Sequence, residues 1–128
     1  MRSLIDTTRR PDVAFHANGR IDITAHVAKV LHISAGDVID IAADGGEYYL
    51  YVRHRAHDVV GHHEAQCRRT NIRGKVCNNL RAFSKRLCNI VLQINGESDV
   101  ARLPVGQLTT ITGFGEALPV IIRHTMKL

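Results

Sequence analysis

Two hairpin patterns, separated by a short helical pattern, are the feature that most constrains this chain. Residues 13–17 are strand-like and residues 20–23 alternate polar with apolar side chains, on either side of Asn18-Gly19, a dipeptide that strongly favours a hairpin turn. Residues 38–52 repeat the pattern around a glycine-rich turn. The two hairpins have apolar faces that they cannot bury alone, so another chain or the rest of this one must cover them.

A short helix is predicted between the hairpins, over about Ala25–His32. Thr24 can cap its start, and Val27, Val30 and Leu31 form one apolar face at helical spacing. The following Ser-Ala-Gly-Asp sequence is typical of a turn.

Residues 19–41 resemble the AbrB/SpoVT/MazE family of swapped-hairpin DNA-binding proteins, and with the second hairpin the resemblance covers about residues 13–53. The shared pattern is Gly-Arg-Ile, an alternating strand, a short helix ending Leu-x-Ile, then Gly-Asp and another alternating strand. The matching positions are Gly19, Arg20, Ile21, Ile23, Val27, Leu31, Ile33, Gly36, Asp37, Val38 and Ile41. The family usually has Pro where this chain has Thr24. The resemblance implies a dimeric β-barrel, in which a second copy covers the hairpins, and DNA contact through Arg20 and Lys29.

A long amphipathic helix is predicted over about Asn78–Ile94. Its start would be capped by Asn78 or Asn79, and Asn95-Gly96 would end it through a left-handed turn. One continuous apolar stripe supports this prediction, and its members are Leu80, Phe83, Leu87, Ile90, Val91 and Ile94.

The fold class that we predict is α+β, in a single domain over residues 1–128. Its parts are the AbrB-like hairpin unit at 13–53, a basic, histidine-rich loop and strand at 54–76, the helix at 78–95 and a β segment at 100–125. Within the β segment the strand patterns are 100–105, 107–112 and 120–125, and Pro104 indicates an edge position or a bulge.

Positive charge is concentrated between Arg53 and Arg86. This segment has nine basic residues against two acidic ones, a net charge of +7, whereas the rest of the chain has eight basic and ten acidic residues. Such a segment can attract phosphates and make binding salt-dependent. The cations that we expect to contact nucleic acid are Arg20, Lys29, Arg68, Arg69, Arg73, Lys75, Arg81, Lys85 and Arg86.

A metal site is not expected, and one group of side chains comes nearest to forming one. Neutral imidazole and thiolate suit zinc, but the spacing of this group matches no zinc-finger pattern and lacks a Cys-x2-Cys pair. The group consists of His54, His57, His62, His63 and Cys67.

No catalytic constellation is evident, and we expect neither an enzyme nor a cofactor. Cys67, Cys77 and Cys88 lack the spacing of a disulfide framework, and nothing pairs a cysteine with a histidine base. Tyr49 and Tyr51 share one strand face and Tyr48 takes the other, where barrel packing or a dimer interface is favoured over base stacking.

The function that these features favour is a small non-enzymatic DNA-binding protein, a homodimeric transcriptional regulator or an accessory factor of a mobile element. The alternative is an assembly module that uses the same dimer scaffold and a basic surface for an acidic protein partner. A cytoplasmic location without membrane contact is expected, because the start of the chain lacks the apolar core of a signal peptide and no apolar run approaches the roughly 18–20 residues that span a bilayer.

Overall fold

The fold is built from ten β-strands and two helices in the part of the chain that the structure describes. The computed structural model describes residues 12–54, 63–72 and 75–122, without the side chains of 71–72 and 75–77. The strands are β1 (Val13–His16), β2 (Arg20–Ile23), β3 (Val38–Asp44), β4 (Glu47–Arg53), β5 (Ala65–Gln66), β6 (Arg68–Ile72), β7 (Lys75–Phe83), β8 (Val100–Leu103), β9 (Thr109–Ile111) and β10 (Gly115–Val120). The helices are α1 (Ala25–Val30) and α2 (Lys85–Asn95).

The first hairpin, β1–β2, forms where the sequence predicts it. Gly19 has a φ of +100°, a left-handed conformation that glycine adopts without strain. A side chain there would also crowd the backbone of Lys85, because an added Cβ would lie 3.1 Å from its nitrogen. Asn18 Oδ1 accepts a hydrogen bond from the backbone N–H of Arg20 at 3.0 Å and completes the turn.

Helix α1 and the second hairpin also agree with the sequence predictions. Thr24 is the N-cap of α1 and accepts from the backbone N–H of Val27. The second hairpin, β3–β4, is paired in register from Val38 with Arg53 to Asp44 with Glu47. Gly45 and Gly46 both have positive φ in the turn between them.

Two antiparallel five-stranded sheets contain all these strands. The first sheet has the strand order β6-β7-β2-β1-β8, and the second has the order β5-β3-β4-β10-β9. The inner faces of both sheets, together with α1 and α2, share one hydrophobic core. Phe15 and Ile21 of the first sheet and Leu50 and Leu118 of the second are fully buried in it. Burial of these four side chains contributes roughly 1.5–3 kcal/mol each.

The second half of the chain covers both hairpins. Strand β7 pairs with β2, β8 pairs with β1, and β10 pairs with β4. Of the two sources of cover that the sequence allows, the structure uses the rest of the same chain. The fold therefore does not need a second copy to complete it.

The prediction of a long amphipathic helix is wrong. Residues 78–83 belong to β7, and α2 begins at Lys85 after the N-cap Ser84, whose side chain accepts from the backbone N–H of Leu87 at 3.1 Å. The side chains from Asn79 to Phe83 alternate between exposed and buried, the period of a strand rather than a helix. The predicted end is confirmed, because Gly96 is a left-handed C-cap with a φ of 73°.

The α+β fold class is wrong for the same reason. The described chain is mostly β, and its helices are only 6 and 11 residues long. In the tail, the last described strand is Gly115–Val120. The predicted strand 120–125 is wrong at residues 121–122, which follow the strand, and its residues 123–125 lie outside the described ranges. Pro119 lies inside this strand, where its carbonyl accepts from Gly106 at 2.8 Å on the side away from β4. The N–H that proline lacks would point to that same side, so the pairing with β4 loses nothing.

Candidate nucleic-acid interface

Among the side chains that the structure describes, four arginines lie on the outer face of the first sheet. The side chains of each strand alternate, so those that do not enter the core point outward together. Ile21 and Ile23 face the core from β2, which leaves Arg20 and Asp22 on the outside. We call this surface the arginine face, and its cations are Arg20, Arg68, Arg81 and Arg102.

Three of these arginines lie in one row across the sheet. In the strand register, Arg68 is opposite Arg81, Arg81 is opposite Asp22, Asp22 is opposite Ala14, and Ala14 is opposite Arg102. Residues opposite each other in an antiparallel pair share a face of the sheet. The row therefore crosses all five strands, and the small residue Ala14 is one of the three positions between its two ends.

Asp22 is the carboxylate at the centre of the arginine face. Its Oδ1 accepts from Arg81 Nε at 2.9 Å, and its Oδ2 lies 3.1 Å from His16 Nε2 and 3.2 Å from Arg20 Nε. The Arg20 Nε lacks the alignment of a hydrogen bond despite that distance. Arg20 Nη2 is 3.2 Å from His16 Nε2. When His16 Nε2 carries a proton, it donates to Asp22 Oδ2. When it carries none, it accepts from Arg20 Nη2.

The charges around Asp22 lower its pKa. Partial burial raises the pKa of the carboxyl, but the hydrogen bond from Arg81, the positive charges of Arg20 and Arg81, and the hydrogen bond from His16 outweigh burial. The carboxyl is therefore ionised at neutral pH, and it neutralises part of the charge on Arg20 and Arg81.

Arg68 and Arg102, at the two ends of the row, differ from Arg81. Both are exposed, and among the described residues neither makes an ion pair with a carboxylate. Arg68 also lies directly opposite Arg81, and like charges in that position destabilise a sheet. An anion bound between them would relieve this repulsion.

A groove of about 560 Å³ runs along this face. The groove is lined by all three arginines of the row and by Arg69, against the two carboxylates Asp12 and Asp22, and by Phe83, which is 57% exposed. Thr70 and Asn79 add polar atoms, and the Asn79 side chain is held by the backbone N–H of Ala25 at 2.8 Å. A groove with cations along its length suits a polyanion, and it contains no nucleophile paired with a base in its described lining.

Lys29 lies in a neighbouring depression. This depression, of about 360 Å³, is lined by α1, by Asn78 and by Arg69, which also lines the larger groove. Lys29 and Arg69 are both exposed. These two predicted cations therefore extend the arginine face towards α1.

The remaining predicted cations do not join this surface. Arg86 lines a separate depression with Arg53, and Arg53 Nη2 forms an ion pair with Glu64 Oε2 at 2.8 Å. Lys85 is at the start of α2, against the turn at Gly19. Arg73 lies outside the described residues, and so does the side chain of Lys75.

The nearest approach to a metal site is not assembled among the described residues. His54 Nδ1 is 2.9 Å from Asp37 Oδ2, and the Cys67 side chain is fully buried. No three His, Cys, Asp or Glu side chains converge within 12–54, 63–72 and 75–122. Of the other candidates, His63 is exposed, and His57 and His62 lie outside these ranges.

The two cysteines with described side chains are poor ligands and nucleophiles. Burial raises the pKa of the Cys67 thiol to about 12, and the nearby charge of Asp37 adds to the effect. Burial raises the pKa of the Cys88 thiol to about 11, although a backbone hydrogen bond involving His16 opposes it. Since the thiolate is the reactive form, two buried thiols that stay protonated at neutral pH are unfavourable candidates for catalysis or metal binding.

The outer face of the second sheet has a different character. Tyr51 packs edge-on against Phe114, with ring centroids 4.9 Å apart, in a small apolar cluster separate from the main core. Tyr49 borders this cluster, whereas Tyr48 packs against the main core, so the predicted division of the tyrosines is confirmed. We call this surface the tyrosine face. Its members are Asp40, Asp44, Glu47, Tyr49, Tyr51 and Phe114, with Arg53, which is paired with Glu64, at one end of β4.

Sequence reasoning missed Arg102. This arginine lies between Ala101 and Leu103, which are both buried, so the alternation of β8 alone places it on the outside. Its distance along the chain from the basic segment 53–86 concealed its membership of the cluster.

The comparisons with known proteins add no assignment. No family model, no curated protein and no solved structure matches this chain. None of the helices within the described ranges is long and apolar enough to cross a membrane.

Proposed function

We propose that this protein binds double-stranded DNA through the arginine face, as a small regulator or accessory factor without enzymatic activity. The observation that carries the proposal is the row of Arg68, Arg81 and Arg102 across one sheet face. The resemblance of residues 13–53 to a DNA-binding family supports it from a second direction. The cytoplasmic location expected from the sequence belongs to the same proposal.

The spacing of the row suits a duplex. Arg81 and Arg102 lie on strands that are three positions apart in the sheet, which corresponds to roughly 14 Å at about 4.8 Å per strand. The major groove of DNA is about 12 Å wide. Arginines with this separation can contact the phosphates of both backbones that border one groove. Such contacts provide affinity and orientation, but they do not read base sequence.

The salt dependence of DNA binding tests this proposal. One phosphate contact from each of the four arginines of the arginine face should give a slope of about −4. The slope is that of the logarithm of the binding constant plotted against the logarithm of the salt concentration. Fluorescence anisotropy with a labelled duplex of mixed sequence measures this slope. Replacement of Arg102 by Gln should reduce the slope by about 1 and weaken binding equally for all sequences.

Arg86→Gln is the matched control for this experiment. It removes the same charge from an exposed arginine that lies away from the groove. The slope should stay at the wild-type value. If the folded wild-type protein does not bind duplex at low salt, or if both variants lose affinity equally, the proposal is wrong.

An acidic protein partner is the second candidate for the same face. Asp22 already binds the guanidinium of Arg81, so carboxylates are suitable ligands for these arginines. A competition experiment separates the two candidates. Excess unlabelled duplex should displace the labelled duplex, whereas polyglutamate of the same charge should displace it far less if the arginines match phosphate spacing.

A further inference from the structure

The tyrosine face combines aromatic rings with carboxylates. Tyr49 donates its hydroxyl hydrogen bond to Glu47 Oε1 at 3.1 Å, and Tyr51 donates to Asp40 Oδ2 at 3.4 Å. The hydrogen bond to Glu47 is the main reason that the pKa of Tyr49 is raised, and the charge of nearby Asp44 adds to it. Aromatic rings beside carboxylates form an environment that attracts guanidinium groups, which stack on rings and bind carboxylates.

The arginine face of the same molecule presents the complementary groups. Arg68 and Arg102 are exposed and, within the described residues, form no ion pair with a carboxylate. We propose that the tyrosine face of one copy of this chain binds the arginine face of a second copy. The occupant of the tyrosine face is therefore this same chain, arranged head to tail.

Each face has a pair of like charges, and binding of a second copy would reduce the repulsion within each pair. Arg68 is opposite Arg81 on the first sheet, and Asp44 is opposite Glu47 on the second. Like charges opposite each other in an antiparallel sheet are unfavourable in isolation. Apposition of the two faces brings a positive pair to a negative pair, so the same contact reduces both repulsions.

The size of the faces predicts a weak association. Each sheet is five strands wide, or roughly 20 Å, and its strands present a few outward residues each. The area buried in this contact should therefore be less than roughly 1,200 Å², the lower limit for stable interfaces. Transient complexes bury areas of this smaller size. Because the two faces differ, the contact is not self-complementary and extends into short chains of copies rather than closing as a symmetric dimer.

The inference does not depend on DNA binding. It uses the same arginine face, however, so duplex DNA and a second copy exclude each other there. Sedimentation velocity without nucleic acid tests the self-association separately. Wild-type protein should show a rising average sedimentation coefficient as its concentration increases at low salt, and the rise should disappear at about 1 M salt, where the Debye length is about 3 Å.

Two charge-reversed variants and their mixture give the decisive experiment. The double variants Arg68→Glu with Arg102→Glu, and Asp44→Lys with Glu47→Lys, should each weaken self-association by about tenfold or more. Mixing them should restore association, because each altered face then meets a face of opposite charge. Glu97→Lys changes an exposed charge outside both faces and should associate like the wild type.

Each other outcome overturns the inference. Circular dichroism first establishes that the variants are folded. Wild-type protein that stays monomeric at high concentration and low salt contradicts the inference, as does association that survives in both double variants. Folded variants that fail to associate when mixed also contradict it. Binding of an arginine-rich peptide to a chain that does not self-associate would assign the tyrosine face to a different polypeptide.

Discussion

The outer faces of the two sheets differ in what their side chains do for the protein. On the tyrosine face, Tyr51 is only 8% exposed because it packs against Phe114 and its neighbours. On the arginine face, the Arg81 side chain is 44% exposed although it pairs with Asp22. Burial of side chains therefore stabilises the tyrosine face, whereas the charged groups of the arginine face remain exposed to water. Two sheets that share one core can therefore have outer surfaces with separate roles.

The largest expected effect is on stability at the tyrosine face. Replacement of Tyr51 by Ala removes a buried ring and its hydroxyl hydrogen bond, which should lower the free energy of unfolding by about 3 kcal/mol. Replacement of Arg81 by Ala should lower it by at most about 1 kcal/mol, because the ion pair is exposed to solvent. Urea denaturation followed by circular dichroism measures both, and equal losses would contradict the distinction between the faces.

An intermediate effect is expected for Asp22→Asn on the arginine face. The variant loses a carboxylate that binds Arg81 and lies beside Arg20, so the free energy of unfolding should fall by about 0.5–1 kcal/mol at pH 7. The same change removes the negative charge at the centre of the face, and the affinity for duplex DNA should rise about two- to fivefold. Urea denaturation and anisotropy should therefore change in opposite directions.

The pH dependence of this variant follows from the pKa of Asp22. Because the pKa in the folded protein is below the ordinary aspartate value of 3.8, the ionised carboxylate stabilises the fold above about pH 3.8. That stabilisation is lost as the pH falls through the folded pKa. The stability difference between wild type and Asp22→Asn should shrink in acid, below about pH 3.8. A difference that grows in acid would contradict the assignment.

The sequence was sufficient for the first two hairpins and insufficient for residues 78–83. In the hairpins, Asn18-Gly19 and the alternating strands agree with each other, and the partners are close along the chain. In residues 78–83, Leu80 and Phe83 satisfy a helical spacing, while Leu80, Arg81 and Ala82 alternate apolar and polar side chains as a strand does. Pairing with β2 decides between the two, and Arg81 and its partner position Asp22 are 59 residues apart. A local pattern cannot contain such a partner.

The same limit applied to the candidate site. Proximity along the chain grouped Arg86 with Arg68 and Arg81, but only the latter two lie on the arginine face. Arg102 lies there because β8 pairs with β1, which no local pattern indicates. The composition and charge of the chain predicted a cationic surface, and the sheet register determined its members.

The smallest expected effect is a shift in the titration of Tyr49. The hydrogen bond to Glu47 is the largest cause that raises its pKa above 10.0, so Glu47→Gln should lower the pKa towards that value. A background with Tyr48→Phe and Tyr51→Phe leaves Tyr49 as the single tyrosine, and its ultraviolet absorbance follows the ionisation. Asp40→Asn is the control, because Asp40 acts on Tyr51, whose pKa is raised mainly by burial and next by that charge. If Asp40→Asn shifts Tyr49 as far as Glu47→Gln does, the carboxylates act as a diffuse negative field, and the tyrosine face would lack the local pairing that distinguishes it from the arginine face.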